Sequence, residues 1–319
     1  MIARPVGVRA EPGSAREYDR GVIATSEYEL VTEAVGLVDR SSRAKFVVRG
    51  GEAADFLQGQ VSNDAEALDP GRGCYATVLN HKGKLRTDLR ILRHEDDFLL
   101  DTERIGHAVL AHMLATYTLG RDVRWEDLTE NRSLLSLIGP GADEALDAVP
   151  PPEEHAHVAG DHGLYVRTAF GIDVIAEPGV ELGVEPVSEE AAECVRIEAG
   201  RPRLGYDMDA ETIPQEAGLN ERAISFTKGC YVGQETVARL HYKGKPNRHL
   251  RGLRLQQPAA RGAEILFGEK AVGRVGSTCV SPRFGPIALA IVRREAGPGD
   301  SVIVDGAKAE LVELPFESA

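Results

Sequence analysis

The run Lys228-Gly229-Cys230-Tyr231-Val232-Gly233-Gln234-Glu235 sets a thiol between two glycines and beside a lysine. Glycine lets a backbone approach a ligand closely, and a neighbouring ammonium favours the thiolate, the form of cysteine that attacks electrophiles and binds soft metals. A structural cysteine buried at a helix start is the competing reading, and spacing alone does not choose between them. This run closes a longer stretch, residues 196–239, that is rich in glycines and carboxylates and poor in hydrophobic periodicity. Long irregular stretches in compact domains are usually functional or disordered; this one reads as functional. Cys74, Cys194 and Cys279 sit inside apolar strand or helix patterns and read as small buried hydrophobes. Four widely spaced cysteines offer neither a disulfide scaffold nor a Cys-x-x-Cys knuckle, so reduced thiols are expected.

Other chemistry has weaker anchors. His155, His157, Asp161 and His162 are residue types that bind zinc, but they lie in a Pro- and Glu-rich joint without cysteine and read as a solvated loop, so no metal site is expected. His81 reads as an exposed residue of a hairpin tip. There is no Gly-x-x-x-x-Gly-Lys-[Ser/Thr] loop and no Gly-x-Ser-x-Gly elbow, which leaves nucleotide hydrolysis and serine-hydrolase chemistry without a foothold. The basic run at residues 239–245 either steers an anion by local field focusing or is a solvated connector.

These residues need a scaffold, and 319 residues supply about two domains' worth of chain. With 42% hydrophobic and 27% charged residues the composition is that of a globular protein. The net charge of −13 repels a phosphate backbone and disfavours direct nucleic-acid binding. No apolar run approaches ~18 residues and the N-terminus lacks an apolar signal core, so a cytoplasmic protein with no membrane association is expected. Residues 1–20 lack periodicity and read as loose. Apolar spacing predicts helices over 28–40, 52–59, 105–117, 142–148 and 188–199. Strands are expected at 45–49, 98–101, 123–129, 134–138, 164–167 and 172–176, with a hairpin of runs 74–79 and 85–92 around 80–84. Pro150-Pro151-Pro152 forms a stiff joint. Beyond residue 250 the pattern turns all-β, with a boundary near 242–248.

The octapeptide KGCYVGQE resembles the signature of the YgfZ-type folate-binding proteins, the iron–sulfur-maintenance branch of the superfamily that includes the glycine-cleavage T-protein (aminomethyltransferase). Residues 56–64 (FLQGQVSND), 80–91 (NHKGKLRTDLRI), 196–219 and 272–292 also resemble family blocks, so the similarity runs from about residue 27 to the end. The resemblance implies an α+β fold: two interleaved N-terminal α/β subdomains over residues 1–245 and a small C-terminal β-barrel over 246–319. They would form a three-lobed ring around a central hole that holds tetrahydrofolate. Interleaving implies that the chain does not split at Pro150.

Folate chemistry gives the matching residues their tasks. The pterin edge offers an amide N–H beside an exocyclic amine, which one carboxylate can accept together. The resemblance gives that task to Glu198; the residues alone read Glu198 as a cap or an ion-pair partner of Arg196 and Arg201. Asp207 carries over as an acceptor that fixes a loop, and Lys228 and Arg239 join it among the expected folate-binding residues. T-proteins have two adjacent acids after a Gly-Gly turn, one of which assists one-carbon transfer; this chain has Thr87-Asp88, with Lys84 in the turn. It also keeps the Lys-Gly-Cys block that T-proteins lack. The expected function is therefore a tetrahydrofolate-binding accessory protein in iron–sulfur cluster assembly or repair. Cys230 is its reactive thiol, and iron–sulfur assembly proteins or client enzymes are its partners. The alternative is a folate-dependent aminomethyl- or methyltransferase with Asp88 as catalytic acid and Cys230 structural. An RNA-linked role is a third reading, which the net charge opposes.

Overall fold

The computed structural model describes residues 25–317. The loose N-terminus expected over residues 1–20 lies outside them. In chain order the elements of the first half are α1 (Thr25–Glu33), β1 (Gly36–Asp39), β2 (Ala44–Arg49), α2 (Ala53–Gln60), β3 (Arg72–Leu79), β4 (Leu85–His94), β5 (Asp97–Thr102), α3 (His107–Tyr117), β6 (Arg124–Asp127) and β7 (Ser133–Ile138). There follow β8 (His157–Gly160), β9 (Gly163–Thr168), β10 (Gly171–Ala176), α4 (Glu189–Glu198), α5 (Asn220–Ala223) and α6 (Gln234–Lys243). The last six strands are β11 (Arg248–Leu255), β12 (Glu264–Phe267), β13 (Lys270–Ser281), β14 (Gly285–Arg293), β15 (Ser301–Val304) and β16 (Ala307–Val312).

The protein is α+β. Its strands form two antiparallel five-stranded sheets, ordered β1-β7-β10-β9-β8 and β3-β4-β5-β2-β6, and a closed six-stranded barrel, β11-β14-β13-β12-β15-β16. The first sheet takes β1 and β7 from before Pro150 and β8 to β10 from after it, while the second sheet is built wholly between β1 and β7. Interleaving is thus present, and the proline joint is a connection within one sheet. Among the described residues no helix is long and apolar enough to cross a membrane.

Two expected helices are corrected. The one over 28–40 stops at Glu33, because Gly36 to Asp39 pair with Ile138 to Leu135 as an edge strand. The one over 142–148 is absent; only a single tight turn at Pro140–Ala142 forms there.

Strand periodicity explains how the site is built. On β4, Leu89 and Ile91 point into the core beneath α2 and α3, with Phe46, Phe56, Leu57, Leu110 and Leu114. Each such side chain contributes about 1.5–3 kcal/mol by leaving water. Alternation turns Asp88, Arg90 and Leu92 to the opposite face, where Leu92 packs with Leu134, Val166 and Ile175 of the first sheet. Asp88 and Arg90 are thereby held between the two sheets. Helix α4 starts at Ser188, whose hydroxyl accepts from the Ala191 amide, and ends before Gly200, which takes a φ of 67°. It packs on α1 and on the barrel strand β13.

Candidate active site

Between the sheets lies a cavity of about 190 Å³ lined by Tyr75, Asp88 and Glu103 of the second sheet and its flank. Glu154 and Phe170 line it from the first-sheet side, and Glu193, Arg196, Arg201 and Arg203 from α4 and the loop after it. The barrel domain adds no residue to this lining among those described. Six arginines (Arg40, Arg43, Arg196, Arg201, Arg203, Arg222) face four carboxyls (Asp88, Glu103, Glu154, Glu193), so the lining is positive in a protein of charge −13.

Asp88 is buried and accepts a 2.5 Å hydrogen bond from the Tyr75 hydroxyl; Arg222 lies over the Tyr75 ring at 5.0 Å. Burial pushes the Asp88 carboxyl above its usual range and Glu103 adds to the push, outweighing the Tyr75 hydrogen bond and Arg43. Behind it runs a chain of ion pairs. Asp101, fully buried, accepts from Arg43 Nε at 3.0 Å and Nη2 at 2.7 Å and from Arg90 Nε at 2.6 Å. Burial alone would raise Asp101, but Arg90 and Arg43 prevail and hold it at about 2. Arg90 Nη1 then donates to Asp173 at 2.7 Å, which also accepts from Ser136. Glu103 joins Arg43 to Arg203. Arg203 Nε, Arg222 Nε and Arg90 Nη2 are buried without a hydrogen-bond partner among the described residues. With six arginines in its lining, the cavity suits a ligand rich in hydrogen-bond acceptors or negative charge, with a buried carboxyl on its wall.

The residues singled out from sequence do not all meet there. Asp88 lines the cavity. Glu198 does not: it faces a separate groove of about 960 Å³ bounded by α1, α4 and the end of the barrel domain. The reason is helical geometry. Glu193 and Arg196 face the cavity, and a residue two positions after Arg196 points about 200° away. Both Glu198 oxygens accept from the Tyr28 hydroxyl at 2.9 Å, and Oε1 also accepts from Ser281 at 2.5 Å. The groove is the larger hollow, but the denser cluster of charged groups lines the smaller one. Ala169 and Phe170 line both.

Asp207 is a loop fastener. Its fully buried carboxylate accepts from the amide and hydroxyl of Ser277 on β13, from the Arg203 amide and from Arg196. It binds the long loop to the barrel and does not line the cavity. Lys228 is buried, and its ammonium donates to the carbonyls of Gln58, Val61 and Asn63 at 2.7–2.8 Å. Burial pulls its amine down to about 8. That ammonium is committed to backbone carbonyls, a placement that differs from a folate ligand and from an activator of the thiol. Arg239 stands exposed on α6 with no ion-pair partner among the described residues.

Cys230 is exposed, not buried at a helix start. Its surroundings are firmly held: Tyr231 is buried, Lys228 clasps the loop after α2, and Gly233 (φ 85°) meets the β3–β4 turn so closely that a Cβ would lie 2.5 Å from the Asn80 carbonyl. His155 and His157 are not solvated. His157 is buried with Nε2 3.0 Å from the Arg93 carbonyl, and burial, with Arg90 nearby, drops His155 to about 4. Arg43, Tyr75, Arg90, Asp101, Asp173, Arg203 and Arg222 escaped the sequence reading. The available signal was charge on the buried face of a strand: Asp88 and Arg90 alternate with Leu89 and Ile91.

Comparison with known proteins agrees with this architecture. Residues 13–172 match the GCVT N-terminal domain, and residues 248–316 match the glycine cleavage T-protein C-terminal barrel domain. An aminomethyltransferase of Nostoc sp. is 30% identical over 304 residues, covering 84% of this chain and 79% of the relative. The chain belongs to the glycine cleavage T-protein family. Within that family the aminomethyltransferase of Thermus thermophilus is 32% identical over 321 residues, with 91% and 89% covered. The crystal structure of the glycine cleavage system aminomethyltransferase T from Bartonella henselae superposes with a TM-score of 0.82 at 26% identity, over 92% of this chain and 89% of that one. The two stretches matched to T-protein domains leave out residues 173–247, which hold α4, the long loop and the cysteine motif.

Proposed function

We propose that this T-protein family member is a folate-dependent aminomethyl- or methyltransferase, with tetrahydrofolate as the one-carbon acceptor or donor and Asp88 as its proton-transfer group. The observation that carries the reading is a buried, cavity-lining carboxyl whose charged form is disfavoured, facing six arginines. A nitrogen that leaves carbon must gain a proton, and one that attacks carbon must lose one. A buried carboxyl that holds its proton more readily than an exposed one serves both needs. Tyr75 fixes Asp88 in one rotamer, and Arg203 and Arg222, among the arginines that line the cavity, offer positive charge to the acceptor atoms of the pterin and its carboxylate-bearing tail. The relatives named aminomethyltransferase support this reading. Glu198 has no part in it.

The test is product analysis with tetrahydrofolate and an aminomethyl donor. Wild type forms the one-carbon folate, and Asp88→Asn loses roughly 10²–10⁴-fold in rate with its folate affinity kept, the usual size of a general acid–base contribution. An Asp88→Asn enzyme that turns over at the wild-type rate would sink the proposal.

A second reading keeps the YgfZ-type branch: a folate-binding accessory protein for iron–sulfur clusters, acting through Cys230 on assembly proteins or client enzymes. The exposed thiol on a firmly held ledge favours it. Cells carrying only Cys230→Ala then lose iron–sulfur enzyme activity while the purified variant still binds folate. Full activity in those cells rejects the reading.

A further inference from the structure

Away from the cavity, on the far side of α4, two cysteines from different lobes meet. Cys194 is buried on the helix, Cys279 is half-buried on barrel strand β13, and their sulfurs are 3.3 Å apart. Eighty-five residues separate them in the chain. Around them the groups needed for thiol chemistry are assembled. Glu198 Oε1 lies 3.5 Å from Cys194 Sγ and is held in place by Tyr28 and by Ser281, two residues beyond Cys279. Glu198 also lines the open groove, which gives a small oxidant a way in.

We propose that Cys194 and Cys279 are a modification site, a dithiol that hydroperoxides convert into a disulfide joining α4 to the barrel. The sulfur of Cys279, the more exposed of the two, attacks one peroxide oxygen; the O–O bond breaks, water or an alcohol leaves, and Cys279 becomes a sulfenic acid. Cys194 gives its proton to Glu198, and its sulfur attacks that of Cys279. The S–S bond forms as hydroxide leaves, taking the proton from Glu198 to depart as water. Two thiols have then lost two electrons and two protons, and one peroxide has been reduced. Sulfurs already 3.3 Å apart need to approach by only ~1.3 Å to reach bonding distance. The hydrogen bond with Cys279, then burial and the nearby Glu198, raise the Cys194 thiol well above its ordinary range, which fits Cys194 as the resolving thiol. The cross-link would fix a helix whose other face presents Glu193 and Arg196 to the cavity.

The test treats the full chain, and a Cys230→Ser variant that lacks the exposed thiol, with one equivalent of hydrogen peroxide. Free thiols are then alkylated and unreduced peptides mapped by mass spectrometry. The expected result is a Cys194–Cys279 linked peptide as the main oxidised species in both proteins, reversed by dithiothreitol. A rise in Tm of roughly 5 °C accompanies it, from closing so long a loop in the unfolded chain. Cys279→Ser should leave Cys194 alkylatable only after unfolding. Recovery of Cys194 and Cys279 as separately alkylated peptides, or of Cys279 as a sulfinic acid with Cys194 free, overturns the proposal.

Discussion

Replacing Asp101 by asparagine tests whether the ion-pair chain holds the cavity wall. Asp101 is fully buried and accepts three hydrogen bonds from the guanidinium groups of Arg43 and Arg90. Holding this carboxyl at about 2 rather than 3.8 is a shift of nearly two units, each worth ~1.4 kcal/mol, so the charged form adds roughly 2–3 kcal/mol to stability. Breaking a buried pair from one side costs ~3–5 kcal/mol. Glu103 still holds Arg43 and Asp173 still holds Arg90, which places the expected loss at the lower end, about 3 kcal/mol. Because the folded-state pKa is depressed, this stability is present above the unfolded pKa and lost as pH falls towards 2. Urea unfolding should therefore show wild type ahead of Asp101→Asn by about 3 kcal/mol at pH 7, with the gap roughly halved by pH 3. A gap under ~1 kcal/mol at pH 7, or one that ignores pH, refutes the reasoning.

Four further tests probe the cysteine ledge and the site. Lys228→Met strips the ammonium from three carbonyls and should cost about 2–3 kcal/mol in denaturant unfolding; a neutral effect would show that water replaces it freely. Gly233→Ala should cost about 1–3 kcal/mol, since the new Cβ meets the Asn80 carbonyl at a left-handed φ. In native protein a maleimide should label Cys230 first and leave Cys74, half-buried and pushed up to about 12, unreacted until unfolding; prior labelling of Cys74 contradicts the arrangement. Asp88→Asn should match or exceed wild-type stability at pH 7, because a raised carboxyl pKa contributes stability at acid pH and loses it as pH rises.

Most strands and the larger helices were legible because their signals are local. The β3–β4 hairpin, β5, β10 and the barrel strands all carry alternation or apolar runs bounded by turn residues. The failures are tertiary in origin. Residues 36–39 have helical spacing but are recruited by β7, a partner nearly a hundred residues away. The site was legible only in part. Asp88 could be found from the hairpin that carries it, whereas the placing of Glu198 apart from it could not, because a motif fixes neighbours in sequence and helix rotation decides which of them faces the cavity. Arg90, Asp101 and Asp173 form a unit only once two sheets face each other, and no local pattern marks that meeting.

The order in which the sheets draw their strands has a bearing on synthesis. Every strand of the second sheet lies within residues 44–127, so a ribosome has emitted all of it while the first sheet owns a single short ribbon. That ribbon, residues 36–39, stays without a neighbour until β7 emerges, and β7 in turn waits for β10 to cover its other edge. The lobe that carries Asp88 is thus able to settle first, and the lobe that seals the cavity closes over it late in translation.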